Sequence, residues 1–311
     1  MASPLAADTC RLWAVSPTAP DVPVVLFVYA RPALLTRVLG TLRENGVPML
    51  HVYSDGARGA DDAAAVAEVR RMVRAIDWAD VHVHERAKNF GLGRNVLAGV
   101  SEIAQRYESF VVWEDDLLAA SGTYRWLCAA LERFRDEPGV MSVTAWTHPA
   151  VTPSDVDATP YFDGRAECWV WGAWRRSWMG MPEETALEKM HAAERRGVAR
   201  DAYGNDLPAM AAAEARRNIW AVRWLYHHLQ HGGLCCRPPW NCVEHIGVGR
   251  EASNANELTA SETADARPAP APRDWPEPRE NPECRSRWLA FARRDPWSRR
   301  LLRRVRRLLS R

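Results

Sequence analysis

Residues 107–124 read YESFVVWEDDLLAASGTY. Four residues suited to a buried strand, Phe110 to Trp113, run straight into three carboxylates, Glu114, Asp115 and Asp116. Adjacent carboxylates repel one another, and burying one unpaired is costly, so water or a cation must compensate them. By itself the triplet reads equally well as a solvated loop or a helix start, where the positive end of the dipole favours acids. Its setting strengthens the first possibility of a site, because strands and helices alternate around it.

Working outward, VPVVLFVYA (22–30) is a continuous apolar run of the kind buried on both faces of a parallel sheet. RPALLTRVLGTLREN follows with Leu34, Leu35, Val38, Leu39 and Leu42 at helical spacing, and Pro32 falls in the first turn, where its missing N–H costs nothing. MLHVYS and VHVHE read as strands, with DDAAAVAEVRRMVRAI between them as a helix. GLGRNVLAGVSEIAQRY is a further helix leading into FVVW, the fourth strand. GTYRWLCAALERFRD then predicts a helix and VMSVTAW a fifth strand. This alternation predicts a doubly wound α/β sheet with its ligand crevice at the C-terminal strand ends, where the three acids lie. Hard divalent ions such as Mg2+ or Mn2+ prefer such oxygen ligands and bridge one or two carboxylates to a substrate's phosphates.

The 311 residues, 47% hydrophobic and 26% charged, describe an ordinary globular chain able to bury a large core. No run approaches the roughly 18 apolar residues that span a bilayer, and MASPLAADTCRLWAVS lacks the basic start and apolar run of a secretory signal. Seven scattered cysteines suggest no disulfide framework, which suits a reducing cytoplasm. Cys235, Cys236, Cys242 and His245 lack the usual spacing of a zinc site, so buried free thiols are expected there. Of the 41 basic residues only Lys88 and Lys189 are lysines, a bias that makes arginine abundance uninformative about phosphate binding.

Six segments, in order, carry a resemblance. FVVWEDDLLAASGTYRWLCAALERFRDEPGVMSVTAW resembles the acidic strand end and following helix of glycosyltransferases with the GT-A fold, in particular bacterial sugar transferases related to the eukaryotic N-acetylglucosaminyltransferase I type. Upstream, VLFVYARPALLTRVLGTLRENG, VYSDGARG and ERAKNFGLGRNVLAGV are similar to the family's opening strand with Arg-Pro, its Asp-Gly strand end and its Asn-x-Gly segment. Downstream, PYFDGRAECWVWGAWRRSW and IWAVRWLYHHLQHGGLCCRPPWNCVEHIGVGREAS resemble the aromatic acceptor-side and closing segments. The resemblance covers roughly residues 23 to 253 and implies a GT-A domain: a Rossmann-like, mostly parallel central sheet with an aromatic-rich acceptor half.

What the resemblance implies is a metal-dependent transferase moving a sugar from a nucleotide-diphosphate sugar, UDP-linked by preference, to a hydroxyl of a glycan, lipid-linked or small-molecule acceptor. Asp116 would hold Mn2+ or Mg2+, with Glu114 and Asp115 on the nucleotide sugar. Asp55 would meet the base, though Asp-Gly is also a common turn pair. Arg31 would lie near the diphosphate, and Lys88, Asn89 and Gly91 beneath the nucleotide. Trp171 and Trp174 are the tryptophans expected to line the acceptor site. The chain departs from the pattern beside Trp220, where Asn218 and Ala221 stand in place of an acid, and at Asn254, in place of a histidine. Glu244 and His245 are the nearest ionisable substitutes for a catalytic base. A catalytically silent nucleotide-sugar binder of the same fold is therefore the alternative. A nucleotidyltransferase is disfavoured, because YARPALL replaces the glycine-rich phosphate loop expected after the first strand.

The sequence divides into a loose leader (1–22), the transferase domain (23–252), a proline-rich linker (253–282) and a basic amphipathic helix (283–311). From Cys284 onward eleven arginines oppose one acid, Asp295. Trp297, Leu301, Leu302, Val305, Leu308 and Leu309 share one helical face. Such a helix fits the anionic inner face of a membrane, each arginine adding about 1 kcal/mol there; docking on the domain is the rival, and nucleic-acid binding lacks any motif. The expected location is cytoplasmic, peripheral on that membrane surface.

Overall fold

A computed structural model describes residues 22–217, 219–247, 264–271 and 274–293. The first half follows the alternation of the sequence: β1 (Val24–Val28), α1 (Pro32–Glu44), β2 (Met49–Ser54), α2 (Ala60–Arg74), β3 (Asp80–Glu85), α3 (Leu92–Ala104), β4 (Ser109–Glu114), β5 (Leu117–Ala119), α4 (Thr123–Arg133) and β6 (Val140–Thr144). The second half adds β7 (Tyr161–Asp163), β8 (Trp171–Trp174), α5 (Arg175–Trp178), α6 (Ala186–Arg195), α7 (Leu207–Arg217), α8 (Trp220–His231), β9 (Leu234–Arg237), β10 (Val243–His245) and α9 (Cys284–Arg293).

Eight strands form one sheet in the order β3-β2-β1-β4-β8-β6-β9-β7. The first four are parallel throughout, β1 lying between β2 and β4. β1 is buried along its whole length because its two faces feed two cores. Val24, Leu26 and Val28 enter one with Leu35, Val38 and Leu42 of α1; Val25 and Phe27 enter the other with Val96, Val100 and Ile103 of α3. A strand covered on both sides by helices has no need of alternating polar residues, which is why it reads as an unbroken apolar run. The α/β fold with a largely parallel central sheet is thus the observed one.

Beyond β6 the alternation gives way. β8 inserts antiparallel between β4 and β6, pairing Val112 with Trp171 on one side and Thr144 with Trp171 on the other. β10 folds back antiparallel on β5, so that His245 pairs with Leu117, immediately after Asp116.

The expected linker does not hold for the described part of 253–282. Arg267 and Ala269 donate their amides to Asn241 O and Ser121 O at 2.8 and 3.0 Å. The Trp275 ring meets Phe134 and Trp126 at 5.4 and 6.4 Å between centroids. Asn281 donates its amide to Phe162 O at 2.9 Å. Proline removes donors but not acceptors or side chains, so a proline-rich segment can still lie as an extended strap along a surface. Nor is α9 a separate object: Trp288 is 2% exposed, and its indole N–H donates to Asp163 Oδ2 at 2.7 Å. The amphipathic stretch from Trp297 to Leu309 and the leader up to residue 21 lie outside the described residues. Among the described residues no helix is long and apolar enough to cross a membrane.

Candidate functional site

The C-terminal ends of β1, β2 and β4 open onto a cavity of about 520 Å3. A parallel sheet puts these strand ends on one rim, and the loops leaving them bring Arg31, Asp55, Glu114, Asp115 and Asp116 to its wall. Asn89, Gly91, Leu92 and Asn95 come from the connection into α3, and Met210, Arg217, Ile219, Trp220 and Ala221 from the α7–α8 corner. Cys168, Trp169, His245 and Gly247 complete it.

The acidic strand end is anchored from β1. Asp115 donates its amide to Phe27 O at 3.1 Å and accepts from the Tyr29 amide at 2.9 Å. Arg31, entering α1, donates to Asp116 Oδ2 at 2.7 Å and to Asp115 Oδ1. Burial opposes the guanidinium charge of Arg31, but Asp115 and Asp116 outweigh it and hold the group firmly charged. Burial raises Glu114 above the usual carboxyl range, with Asp116 and Asp115 pushing it further. Asp115 is raised by burial too, against the pull of Arg31. Asp116 Oδ1 is buried without a hydrogen-bond partner among the described residues. Arg31, acting through space, is what opposes that rise at Glu114.

The closing segment comes in from the other side. Ile246 donates its amide to Asp116 O at 2.8 Å, and Gly247 passes so close that a Cβ there would stand 2.2 Å from Asp116 Oδ2. His245 Nε2 lies 3.7 Å from the same oxygen, its ring stacked on Trp169 at 4.8 Å. Burial lowers the His245 pKa, with Asp116 opposing, which favours a neutral imidazole. Its Nδ1 has no partner among the described residues.

Asp55 sits at the end of β2, as expected, yet its carboxylate is occupied by the chain. Oδ1 accepts from the amides of Gly56 and Phe90 at 2.9 and 2.8 Å; Oδ2 accepts from the Gly91 amide at 2.9 Å and Asn89 Nδ2 at 3.2 Å. It shapes the loop before α3, where Gly91 turns at φ 76°. Lys88 is exposed and not part of the cavity wall, whereas Asn89 and Gly91 are. Glu244 is exposed, with His245 alone of that pair on the wall.

The tryptophan expectation needs correction. Trp171 is fully buried among Phe110, Trp178, Trp220 and Trp224. Trp174 is buried with its indole N–H on Leu131 O at 3.2 Å. Neither lines the cavity; Trp169 and Trp220 do. The physical reason is the backbone between them: Val170 has φ 49°, a costly conformation for a β-branched residue, and it turns Trp169 out of the strand that buries Trp171. Tyr29 and Arg58 were also missed. The Arg58 guanidinium lies 5.2 Å over the Tyr29 ring at the cavity wall. Both follow β-strand C-termini on the open rim, which was the signal available for them.

The position expected to carry an acid beside Trp220 does face the cavity, but as Ala221; Asn218 and Asn254 lie outside the described residues. The buried Cys235, Cys236 and Cys242 are free thiols. No cluster of three or more His, Cys, Asp or Glu side chains suited to a metal ion occurs among the described residues.

No protein-family model matches the sequence, and no curated protein matches it. Solved structures are similar at low identity. A mannosyltransferase from Pyrobaculum calidifontis, PcManGT, in complex with GDP-Man and Mn2+, aligns with TM-score 0.43 and 14% identity over 76% of this chain and 59% of that one. TarS 1-349 of S. aureus aligns at 0.38 and 11% over 70% and 57% of the two chains. A putative glucose-1-phosphate thymidylyltransferase from Bacillus anthracis, in complex with a sucrose, aligns at 0.31 and 5% over 52% and 74%. This chain therefore spans less than two thirds of the first two, and at these scores the likeness adds nothing to the geometry described above.

Proposed function

We propose that this chain is a glycosyltransferase that moves a sugar from a nucleotide-diphosphate sugar to an acceptor hydroxyl. The observation that carries it is the strand-end cavity, where Asp116 keeps one buried oxygen unspent beside Glu114, Asp115 and Arg31. A polar atom buried without a partner is expensive, so its retention on a cavity wall points to a ligand that supplies one. One free carboxylate oxygen does not cage a metal by itself, but it fits an ion such as Mn2+ or Mg2+ that takes its other ligands from phosphate oxygens and water. Such an ion would stabilise the charge on a leaving diphosphate.

The chain's own residues divide the remaining work. The loop held by Asp55 would form the floor under the nucleotide, with Asn89 and Gly91 at its surface. Trp169 would offer the sugar or acceptor an aromatic face. As the acceptor oxygen bonds to C1 and the C1–O bond to the diphosphate breaks, His245 would take the acceptor's proton, since it is neutral and on the wall whereas Glu244 is not. The presence of Ala221 where an acid was expected favours the second reading, a sugar-nucleotide binder without turnover. A UDP-linked donor, an acceptor of the lipid-linked kind and contact with an anionic membrane surface remain parts of the proposal that rest on the sequence.

The test is a panel of UDP- and GDP-sugars, with and without Mn2+, on wild type and Asp116→Ala. We expect nucleoside diphosphate release with at least one donor, falling about 10²–10³-fold in the variant while its melting temperature is retained. Binding without release would establish the silent binder; equal turnover by both proteins would remove the role of Asp116.

A further inference from the structure

We propose that Arg31 is a built-in counter-cation that competes with a divalent metal ion for Asp116, so that the metal is held tightly only together with a diphosphate. The inference rests on the transferase reading above and adds an order of events to it.

Asp115 and Asp116 are almost wholly enclosed, their side chains 2% and 9% exposed, and Arg31 is 13% exposed. The guanidinium forks across both, one arm on Asp115 Oδ1 and the other 2.7 Å from Asp116 Oδ2. A planar group with fixed donors spans two carboxylates in a way that a point charge cannot. Asp116 Oδ2 is further hemmed in by Gly247, leaving Oδ1 as the oxygen without a partner. A divalent ion arriving at Oδ1 would therefore share one carboxylate with a charged guanidinium. Two cations that close, shielded from water, repel strongly.

Arg31 cannot simply be expelled, because a buried charge stripped of its partner is costly. It needs another anion within reach. Arg31 itself lines the cavity, so a diphosphate bound there is the anion available to receive it. Metal and diphosphate then strengthen one another: the metal frees Arg31 to meet the diphosphate, and the diphosphate draws Arg31 away from the metal's carboxylate. Such coupling is reciprocal by thermodynamic necessity.

The test is Mn2+ binding by the full chain, followed through loss of the free-ion EPR signal, alone and with GDP or UDP. Wild type should bind Mn2+ weakly alone and about tenfold tighter with the nucleotide, the usual size of such a coupling. Arg31→Gln should bind Mn2+ alone about tenfold tighter than wild type, with the nucleotide's effect reduced. Adding Asp116→Asn should abolish the gain, and Arg31→Lys, which keeps the charge without the fork, should fall between. Because Arg31→Gln leaves two buried acids unpaired, its melting temperature is also recorded with and without Mn2+; a larger Mn2+-induced rise than in wild type reads the same competition. Mn2+ binding no tighter in either Arg31 variant, or a gain that survives Asp116→Asn, overturns the proposal. A chain that shows the gain but transfers no sugar keeps the competition and loses the transferase reading; turnover without the gain does the reverse.

Discussion

Two buried arginine–carboxylate clusters in this molecule have opposite fates. Arg237 and Asp163 are both fully buried, 2.9 Å apart. The guanidinium donates to Trp146 O and Arg165 O, lies 5.4 Å beneath the Trp288 ring, and faces an Asp163 that also accepts from Trp288 and from the Arg165 amide. Neither Arg237 nor Asp163 lines the cavity, and the cluster serves to fasten α9 to β7 and β9. Arg31, Asp115 and Asp116 are nearly as enclosed, yet all three line the cavity, and Asp116 Oδ1 is without a hydrogen-bond partner among the described residues. Residue types do not separate a staple from a site; access to a cavity does.

The sharpest way to break this contrast is Arg237→Met. Asp163 would be left charged in a sealed interior, and we expect a loss of about 3–5 kcal/mol in urea unfolding. A loss below 1 kcal/mol would mean water reaches that pair and the contrast fails. A smaller effect is expected of Asp55→Asn, which points an amide N–H₂ at backbone donors: about 1–3 kcal/mol of stability. If the variant instead keeps its stability while KM for the donor rises, Asp55 meets the base rather than holding the loop. The smallest effect concerns pH. His51 is buried against His82, His84 and Tyr107, with its pKa lowered to about 4 by burial and then by His82 and His84. The unfolded chain takes the proton first as pH falls below the ordinary value near 6.5, so the stability present above that value is lost progressively toward pH 4. The same sign holds for His227 and His228, both lowered to about 3. Chemical unfolding from pH 7 to 4 should therefore show a shallower decline in His51→Gln than in wild type; parallel curves would refute this.

The sequence was most legible where one strand is covered by helices on both sides. VVLFV and the FVVW of SFVVWE announce β1 and β4 because burial on two faces demands unbroken apolar runs. β8 was not legible: WGAW is four residues long, and its identity as a strand comes from β4 and β6 on either side. The strap at 264–282 was misread because proline content suggested an unpacked chain, although Trp275 and Trp288 were apolar anchors in plain view. In the site, the acids were marked by the strand-end rule and Arg31 by the resemblance, whereas the exchange of Trp171 for Trp169 hangs on one backbone angle at Val170, which no pattern of residue types records.

The lid over Asp163 is Trp288, a residue 125 positions further along the chain. A chain in which α9 has not yet docked is therefore expected to hold the interior salt bridge with Arg237 wet and weak. Domains that close late in this way spend longer as open intermediates. Burial of this salt bridge thus depends on α9, the last helix among the described residues.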